Sequence, residues 1–459
     1  MQKHSRLLNT LIKYTTAAIL IAVPLYPKFP FINVPGTFVS IRLEDLIVAF
    51  AALLLAVAMF SRIKELLKDE LVRSIILFLA VGLASLYSAA YLTKTVGLQL
   101  GFLHWARRVE YFVPLFLGME AIRRERKSLK FFFKILILVV FASFIYGVGQ
   151  KHFELPIIIT QNEEYSQGVA LRYVPGSHIN ATFAGHYDLA TFLVLALPII
   201  ISAIFALKGK ITRLLLIIIS FSGMWLLVNT ASRISLVSYI ISTSISMVLI
   251  KKAKAIPVVI IVSILFAGFS SNLLTRYERV FEVSIEKIKR IDLINELPLA
   301  PVYAQTEGVI QRREITPTPS PVPVFEDRST NIRLNIEWPR ALRAFSKNPF
   351  LGTGYSSITL ATDNDYLRLL GEVGFLGFLA FGLIFATLGL KISRTLSIFK
   401  KFKGIELAFL AGIIGSLPGL FTNAFFIDIF EASKFATLFW MFIGFSIGLM
   451  KTKTNEQTN

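Results

Sequence analysis

Residues 181–206 read ATFAGHYDLATFLVLALPIIISAIFA, and this stretch decides the class of fold. From Leu189 to Ala206 it contains no charged side chain, and this is close to the length of helix that crosses a bilayer core of about 30 Å. We therefore predict an all-α integral membrane protein with about 12 transmembrane helices. The other segments of this kind lie near residues 15–33, 44–60, 72–92, 101–119, 129–149, 211–229, 232–250, 255–271, 371–390, 404–426 and 432–450.

The composition excludes several classes of protein. Of the 459 residues 54% are hydrophobic and only 17% are charged, which does not fit an ordinary soluble enzyme. The absence of cysteine excludes thiol catalysis, thiolate metal sites and disulfides. A net charge of +19 would indicate a nucleic-acid partner in a soluble protein, so the position of the basic residues has to be considered.

The basic residues follow the turns between the apolar segments. If the N-terminus is cytoplasmic, 26 of the 48 Lys and Arg residues fall in the short inner segments and few fall in the short outer ones. This is the positive-inside pattern, so we predict a multi-pass protein of the cytoplasmic (inner) membrane with both termini cytoplasmic. The positive charge is then an orientation signal and an attraction to membrane lipids, and no nucleic-acid partner is expected.

One connection is far longer than the others. Residues 1–270 hold the predicted transmembrane helices 1–9, residues 271–370 form a large extracytoplasmic, partly helical loop, and residues 371–459 hold helices 10–12 and a cytoplasmic tail. Long loops often carry function. We expect the loop to contain, in order, an amphipathic helix over 273–291, a Pro-rich extended linker over 316–324, and an Arg-bearing helix with Ser329 or Thr330 as its N-cap.

Arginines inside or beside apolar segments are candidates for function. Arg107 and Arg108 lie in LHWARRVEYF of the fourth segment, where Arg107 can pair with Glu110 as a structural ion pair or both arginines can form a cationic wall of a polar cavity. Arg233 lies in the turn NTASRIS, where it either snorkels to the membrane surface or binds an anion.

Further arginines lie in the last part of the long loop. Arg333 and Arg340 precede NPFLGTGY, and the guanidinium group is well suited to hold phosphate oxygens. Several arginines on the outer face therefore indicate an anionic head group, with pyrophosphate as the leading candidate. The two glycines of GTG permit a tight turn and a close approach of the backbone.

Four stretches, taken in order, resemble the O-antigen ligase and polymerase superfamily. They are YVPGSHINATFAGHYDLATFLVLALP (173–198), NTASRISLVSYI (229–240), RLNIEWPRALRAFSKNPFLGTGY (333–355) and DNDYLRLLGEVGFLG (363–377). The resemblance implies a metal-independent membrane glycan transferase without a cofactor, acting on the outer face of the cytoplasmic membrane. Its donor would be an undecaprenyl-diphosphate-linked glycan, and its acceptor a glycan, a lipid or a protein. A flippase and a chain-length regulator are the partners that the resemblance suggests.

The resemblance also assigns roles to residues. Arg233 and Arg333 match the two pyrophosphate-binding arginines of the family. Ligases of the family usually have His before the Asn of the last motif, whereas Asp363 precedes Asn364 here, which favours a polymerase-like member. We predict Asp363 as the base or acceptor-orienting group, with Asn364 beside it in the substrate site. The alternative is that Asp363 caps the helix that follows.

Two histidines and the remaining arginines complete the predicted substrate site. His178 and His186 are acid–base groups, metal ligands or solvated hydrogen-bonding groups, and the sequence leaves these alternatives open. Because the chain has five His and no HxxxH or HExxH spacing, we predict no metal site. Arg340, Arg107 and Arg108 are assigned to binding of the diphosphate or glycan.

A second class of function is a lipid-linked oligosaccharide flippase or another polytopic transporter. Many such proteins show an internal repeat or a long central cytoplasmic loop, and we find neither in this sequence. The transferase is therefore the leading hypothesis.

Overall fold

The computed structural model describes residues 2–156, 178–268, 270 and 331–458, apart from residues 27–29, 36, 38, 360, 397 and 398. The predicted amphipathic helix over 273–291, the Pro-rich linker over 316–324 and the N-cap at Ser329 or Thr330 lie outside the described residues.

Helices dominate these ranges. From the N-terminal side they are α1 (Gln2–Leu25), α2 (Leu43–Met59), α3 (Ile63–Leu66), α4 (Glu70–Tyr87), α5 (Leu98–Arg124), α6 (Ser128–Phe153), α7 (His186–Ala206), α8 (Lys210–Asn229), α9 (Arg233–Leu249), α10 (Ile256–Ala267), α11 (Trp338–Lys347), α12 (Asp365–Leu396), α13 (Gly404–Ala424) and α14 (Ser433–Thr458).

Short irregular elements connect or extend these helices. In the described part of the chain, 3₁₀ turns occur at Phe60–Arg62, Ala253–Ala255 and Phe399–Lys401, and π-turns at Ser88–Leu92 and Arg333–Glu337. The strands β1 (Pro30–Asn33) and β2 (Ser40–Arg42) pair antiparallel as one small hairpin.

The protein is an all-α multi-pass membrane protein, as the sequence predicts. Nine of the described helical segments are long and apolar enough to span a bilayer. Each of the 12 predicted segments overlaps a helix, but α9 and α10 are short and α5 carries several charged side chains. The number twelve therefore stays a prediction.

The centre of the bundle is formed by α7 and α14. Their most apolar windows are 83% and 89% buried by the rest of the chain, against 33–56% for the other candidate spans. Small residues let helices approach closely around them: a Cβ on Gly444 of α14 would lie 2.1 Å from the carbonyl oxygen of Leu115 in α5. In the same way α13 packs against α9 through Gly419, next to Ser238.

A buried lysine joins the two ends of the chain. The Nζ of Lys434, at the start of α14, donates hydrogen bonds to the carbonyl oxygens of Thr182 (2.6 Å) and Tyr26 (2.9 Å). Its side chain is fully buried and lies over the ring of Phe183. Carbonyl dipoles thus solvate this cation inside the protein.

Polar contacts gather at two opposite ends of the bundle. At one end, which we call the basic end, Arg126 pairs with Glu406, and Asp69 pairs with Lys391 and Lys451. The other end, which we call the site end, holds residues 178–185, 331–364 and 425–432. Because successive helices alternate between these ends, the arrangement follows the predicted topology. Which end faces the cytoplasm stays a prediction.

Candidate functional site

The predicted catalytic residue Asp363 lies in a loop just before α12. This loop is held by Asp428, whose carboxylate accepts hydrogen bonds from the backbone N–H groups of Thr362 (2.8 Å) and Asn364 (2.9 Å). The side chain of Asn364 accepts a bond from the N–H of Leu367 at 2.9 Å and so caps α12. The alternative that Asp363 caps this helix is therefore wrong, and its carboxylate is available for another partner. A role of Asn364 in substrate binding stays a prediction.

That partner is Arg333, the first residue of the π-turn that leads into α11. Its Nη2 and Nε donate to Oδ2 of Asp363 at 2.7 and 3.0 Å. The two side chains are 11% and 22% exposed, so the pair is largely removed from water yet open to a ligand. π-turns inside helices are frequent at functional sites. The structure thus brings together two residues that the sequence places 30 positions apart.

A second carboxylate lies next to this pair. Burial, together with the charge of Asp363, raises the pKa of Glu337 to about 7, although Arg333 and Arg340 oppose the shift. The Oε2 atom of Glu337 is buried, and among the described residues it has no hydrogen-bond partner. Burial also raises the pKa of Asp363, with Asp428 adding to the shift and Arg333 opposing it. Sequence reasoning missed Glu337; its signal is the i,i+4 spacing from Arg333 on a helix.

The two predicted histidines lie on the same side of the site. The Tyr187 side chain interacts with Arg333, and the ring of His186 lies 4.1 Å from that of Tyr187, measured between centroids. The rings of His178 and His186 are 4.7 Å apart. Aromatic side chains thus form one wall beside the Arg333–Asp363 pair.

Arg233 lies at the same end of the bundle. It is the first residue of α9, after the N-cap Ser232, whose hydroxyl accepts from the N–H of Ser235. The backbone N–H of Ile179 donates to the carbonyl oxygen of Asn229 at 3.1 Å, which ties the His178 segment to the turn before Arg233. Arg233 therefore lies at the site end, close to the His178 segment. Binding of diphosphate by Arg233 stays a prediction.

The two arginines of α5 have different surroundings. Arg107 lies 3.7 Å from Asp45 and donates to the carbonyl oxygen of Ser40, so its ion pair is with α2 rather than with Glu110. Arg108 pairs with Glu431 in the turn before α14. They do not form one common cationic wall.

Arg108 belongs to a buried network of charges behind the site. It borders a cavity of about 40 Å³, which has room for a few water molecules. Glu372 and Glu431 also line this cavity. Arg368 of α12 lies 3.4 Å from Glu372, 3.9 Å from Glu431 and 3.1 Å from Asp428. The chain of contacts from Arg108 to Asp428 therefore ends at the loop that holds Asp363. Sequence reasoning missed Asp428 and Glu431; the signal was two acidic residues in the short connection FFIDIFEASK.

The segment that follows α11 is hydrogen-bonded to a break in α12. Gly374 has a φ of 70° inside α12, and residues 348–355, here called the strap, pass across this point. The N–H groups of Thr353 and Gly354 donate to the carbonyl oxygens of Gly371 and Glu372 at 2.9 and 2.8 Å. The tight turn predicted for GTG is confirmed by φ of 69° and 91° at Gly352 and Gly354. The close approach is confirmed as well, since a Cβ on Gly352 would lie 2.5 Å from the carbonyl oxygen of Glu372. Backbone groups released by the break are thus satisfied by the strap.

Within the described ranges, no group of three or more His, Asp or Glu side chains is arranged to hold a metal ion. Metal independence stays a prediction.

Comparison with known proteins gives one family. Residues 214–382 match the family model of the O-antigen ligases, and this range includes Arg233, Arg333 and Asp363. No curated protein gives a significant match to the chain. Such a family implies a glycosyl-transferring membrane enzyme of surface polysaccharide synthesis. Over residues 214–382 the chain is thus similar to the O-antigen ligases, which supports its resemblance to the O-antigen ligase and polymerase superfamily.

Proposed function

We propose that this protein transfers a glycan from an undecaprenyl-diphosphate carrier to an acceptor hydroxyl, on the outer face of the cytoplasmic membrane. The observation that carries the proposal is the contact between Arg333 and Asp363 at 2.7 Å. It places a cation suited to a diphosphate directly beside a carboxylate suited to a hydroxyl. Both are largely desolvated, which strengthens their electrostatic effect on a reacting group.

The proposed reaction uses each group once. The acceptor oxygen forms a bond to C1 of the donor sugar, and the bond between C1 and the diphosphate oxygen breaks. The proton of the acceptor hydroxyl moves to Asp363, whose raised pKa makes it a better base than an ordinary aspartate. The departing undecaprenyl diphosphate carries the negative charge, which Arg333 and Arg233 stabilise.

We further propose that the acceptor is another lipid-linked glycan, as in a polymerase. The support is Asp363 in the position where ligases of the family usually have His. His178, His186, Tyr187 and Arg340 would line the path of the glycan, since sugars are commonly bound by aromatic and hydrogen-bonding side chains. The membrane would be the cytoplasmic one, with both termini on its inner side.

The proposal is tested with the purified protein in liposomes that contain an undecaprenyl-diphosphate oligosaccharide. The readouts are release of undecaprenyl diphosphate and the size of the glycan product. We expect Arg233→Ala, Arg333→Ala and Asp363→Ala each to lower turnover on the order of 100-fold, as removal of a group that stabilises developing charge does. As a matched control, Lys347→Ala removes an exposed cation from α11, the helix that follows Arg333, and we expect it to retain wild-type turnover.

The outcomes separate the candidate functions. Product that lengthens in steps without added acceptor establishes a polymerase, and release only with a second acceptor establishes a ligase. If the wild type releases no diphosphate but moves the intact lipid-linked glycan across the bilayer, the transferase proposal is wrong and the protein is a flippase.

A further inference from the structure

A second cavity opens at the basic end, on the far side of the bundle from the Arg333–Asp363 pair. Its volume is about 780 Å³, and its walls come from the starts of α6, α8 and α13 and from the α7–α8 connection. Six basic side chains line it against one acid, Glu406, whose two carboxylate oxygens accept hydrogen bonds from Nε and Nη2 of Arg126 at 2.6 Å. We call this cavity the lysine pocket; besides Arg126, its basic residues are Lys127, Lys130, Lys134, Lys208 and Lys403.

The five lysines converge on one opening, and among the described residues only the charge of Glu125 acts on one of them, Lys127. Lys127, Lys130 and Lys134 follow each other at i, i+3 and i+7, so they share one face of the N-terminal part of α6. Lys208 and Lys403 reach the same opening from two other connections. All five are exposed, and none forms an ion pair with an acid in the described part of the chain. Five like charges around one opening repel each other, which an anionic ligand would relieve.

The backbone adds to the positive potential. Two helices, α8 and α13, begin at this pocket with Lys210 and Gly404. The first N–H groups of α6 do not contribute, because those of Ser128 and Leu129 donate to carbonyl oxygens of the preceding turn. The first N–H groups of a helix lack partners inside it and carry partial positive charge. This adds to the attraction that the lysines exert on phosphate oxygens.

The deeper wall of the pocket is apolar. Phe133 and Ile137 of α6 and Leu215 and Leu216 of α8 continue from the lysines along the helices. Leu215 is 57% exposed, on a helix that the sequence and the structure assign to the membrane. A free phosphate or nucleotide has no acyl chain that could pack against this apolar wall. A lipid can bind with its phosphate at the rim and its acyl chains along the groove.

We infer that the lysine pocket binds the phosphate head group of an anionic glycerophospholipid, with its acyl chains along Ile137 and Leu215. The inference is independent of the transfer reaction, since it concerns the opposite end of the bundle. A bound lipid there ties together α6, α8 and α13 and stabilises the folded protein by mass action.

The test compares two triple variants with equal loss of charge. The pocket variant, Lys127→Gln/Lys130→Gln/Lys134→Gln, removes three positive charges from one wall of the lysine pocket. The control variant, Lys64→Gln/Lys68→Gln/Lys254→Gln, removes three exposed lysines outside the pocket. Native mass spectrometry of the purified protein counts the retained phospholipids. Thermal unfolding in detergent is followed with added phosphatidylglycerol, cardiolipin, phosphatidylcholine or inorganic phosphate.

We expect the wild type and the control variant to retain an anionic phospholipid and to unfold at higher temperature with phosphatidylglycerol or cardiolipin. The pocket variant should lose both effects while its unfolding temperature without lipid equals that of the control. The pair Lys208→Gln/Lys403→Gln, on the other walls, should weaken the same shift. An equal shift in the pocket variant, or from phosphatidylcholine, would overturn the inference. A full shift from inorganic phosphate alone would show an anion site without a lipid.

Discussion

Asp363 has a backbone conformation that few residues other than glycine adopt, with a φ of 49°. Aspartate tolerates this region better than most residues, but the loop still needs external support. Asp428 supplies this support, because its carboxylate accepts hydrogen bonds from two backbone N–H groups of the loop, so the geometry of the predicted base depends on a residue 65 positions away. The sequence pointed to Asp363 and Arg333 by motif. The acidic residues of the connection FFIDIFEASK were a weak local signal for Asp428, and its role could not be predicted from them because it exists only after the turn at 425–432 meets α12.

Glu337 gives the site a predictable response to pH. Its pKa of about 7 means that it is mostly neutral below this pH and becomes an anion above it. The new charge lies beside the arginine proposed to hold the diphosphate, so donor binding should weaken as the pH rises through 7. A screened like charge costs about 1 kcal/mol, which raises the KM for donor about fivefold. The measurement is KM and kcat for wild type and Glu337→Gln between about pH 6 and about pH 8.

The variant should show a KM that does not change over this range. If the pH instead changes kcat and leaves KM constant, then Glu337 acts in proton transfer and the electrostatic explanation is wrong.

At the scale of elements, hydropathy predicted most helices. A membrane helix satisfies its own backbone hydrogen bonds, so the length of an apolar segment is enough to recognise it. It could not show that α12 breaks at Gly374 or that the strap fills the break. The GTG motif indicated a tight turn, but its partner lies in another part of the chain. The π-turn at Arg333–Glu337 was also invisible, since the residues around it have ordinary helical spacing.

The strap yields a sharp prediction at Gly352. A Cβ there would lie 2.5 Å from the carbonyl carbon and oxygen of Glu372, and a φ of 69° already disfavours any side chain. We expect Gly352→Ala to lower the unfolding temperature strongly and to reduce the yield of monodisperse protein. Gly382→Ala, inside α12 and with open space around the added Cβ, should be neutral or stabilising by up to about 1 kcal/mol. Similar unfolding temperatures for the two variants would show that the strap can move away from α12.

At the scale of the whole molecule, charges predicted as functional are partly structural. Arg108 and Glu431 are separated by 323 positions, yet they form a largely buried ion pair between α5 and the turn before α14. The sequence identified Arg108 as unusual but not its partner, because the pairing depends on how α5 packs against α14. The ion pairs around Arg108 therefore connect to the loop that holds Asp363. A direct contact between Arg108 and the substrate remains a prediction.

The pair can be examined with a double-mutant cycle. Arg108→Met leaves Glu431 with less of its compensating charge, and loss of one partner of a buried pair costs about 3–5 kcal/mol. Adding Glu431→Leu should restore much of this stability, because both charges are then gone. Thermal unfolding of the four proteins gives the coupling. Strictly additive effects would mean that the two charges do not stabilise each other.

The membrane orientation is open to a direct measurement, because the chain contains no cysteine to remove first. Lys347 at the site end and Lys64 at the basic end are both exposed. In intact cells a membrane-impermeant maleimide should label Lys347→Cys, whereas Lys64→Cys should react only after the inner membrane is permeabilised. The reverse labelling would place the site end in the cytoplasm and contradict the proposed function.

The central position of α14 also has a consequence for the order of biosynthesis. This helix is the most buried of the candidate spans, and it is inserted after every other described helix. Until it arrives, α5 lacks its main neighbour, and the carbonyl groups of Thr182 and Tyr26 lack the ammonium group of Lys434. Compaction of the bundle must therefore wait until the ribosome has almost finished this part of the chain. During that interval the nascent protein depends on the insertion machinery to protect its unfinished core.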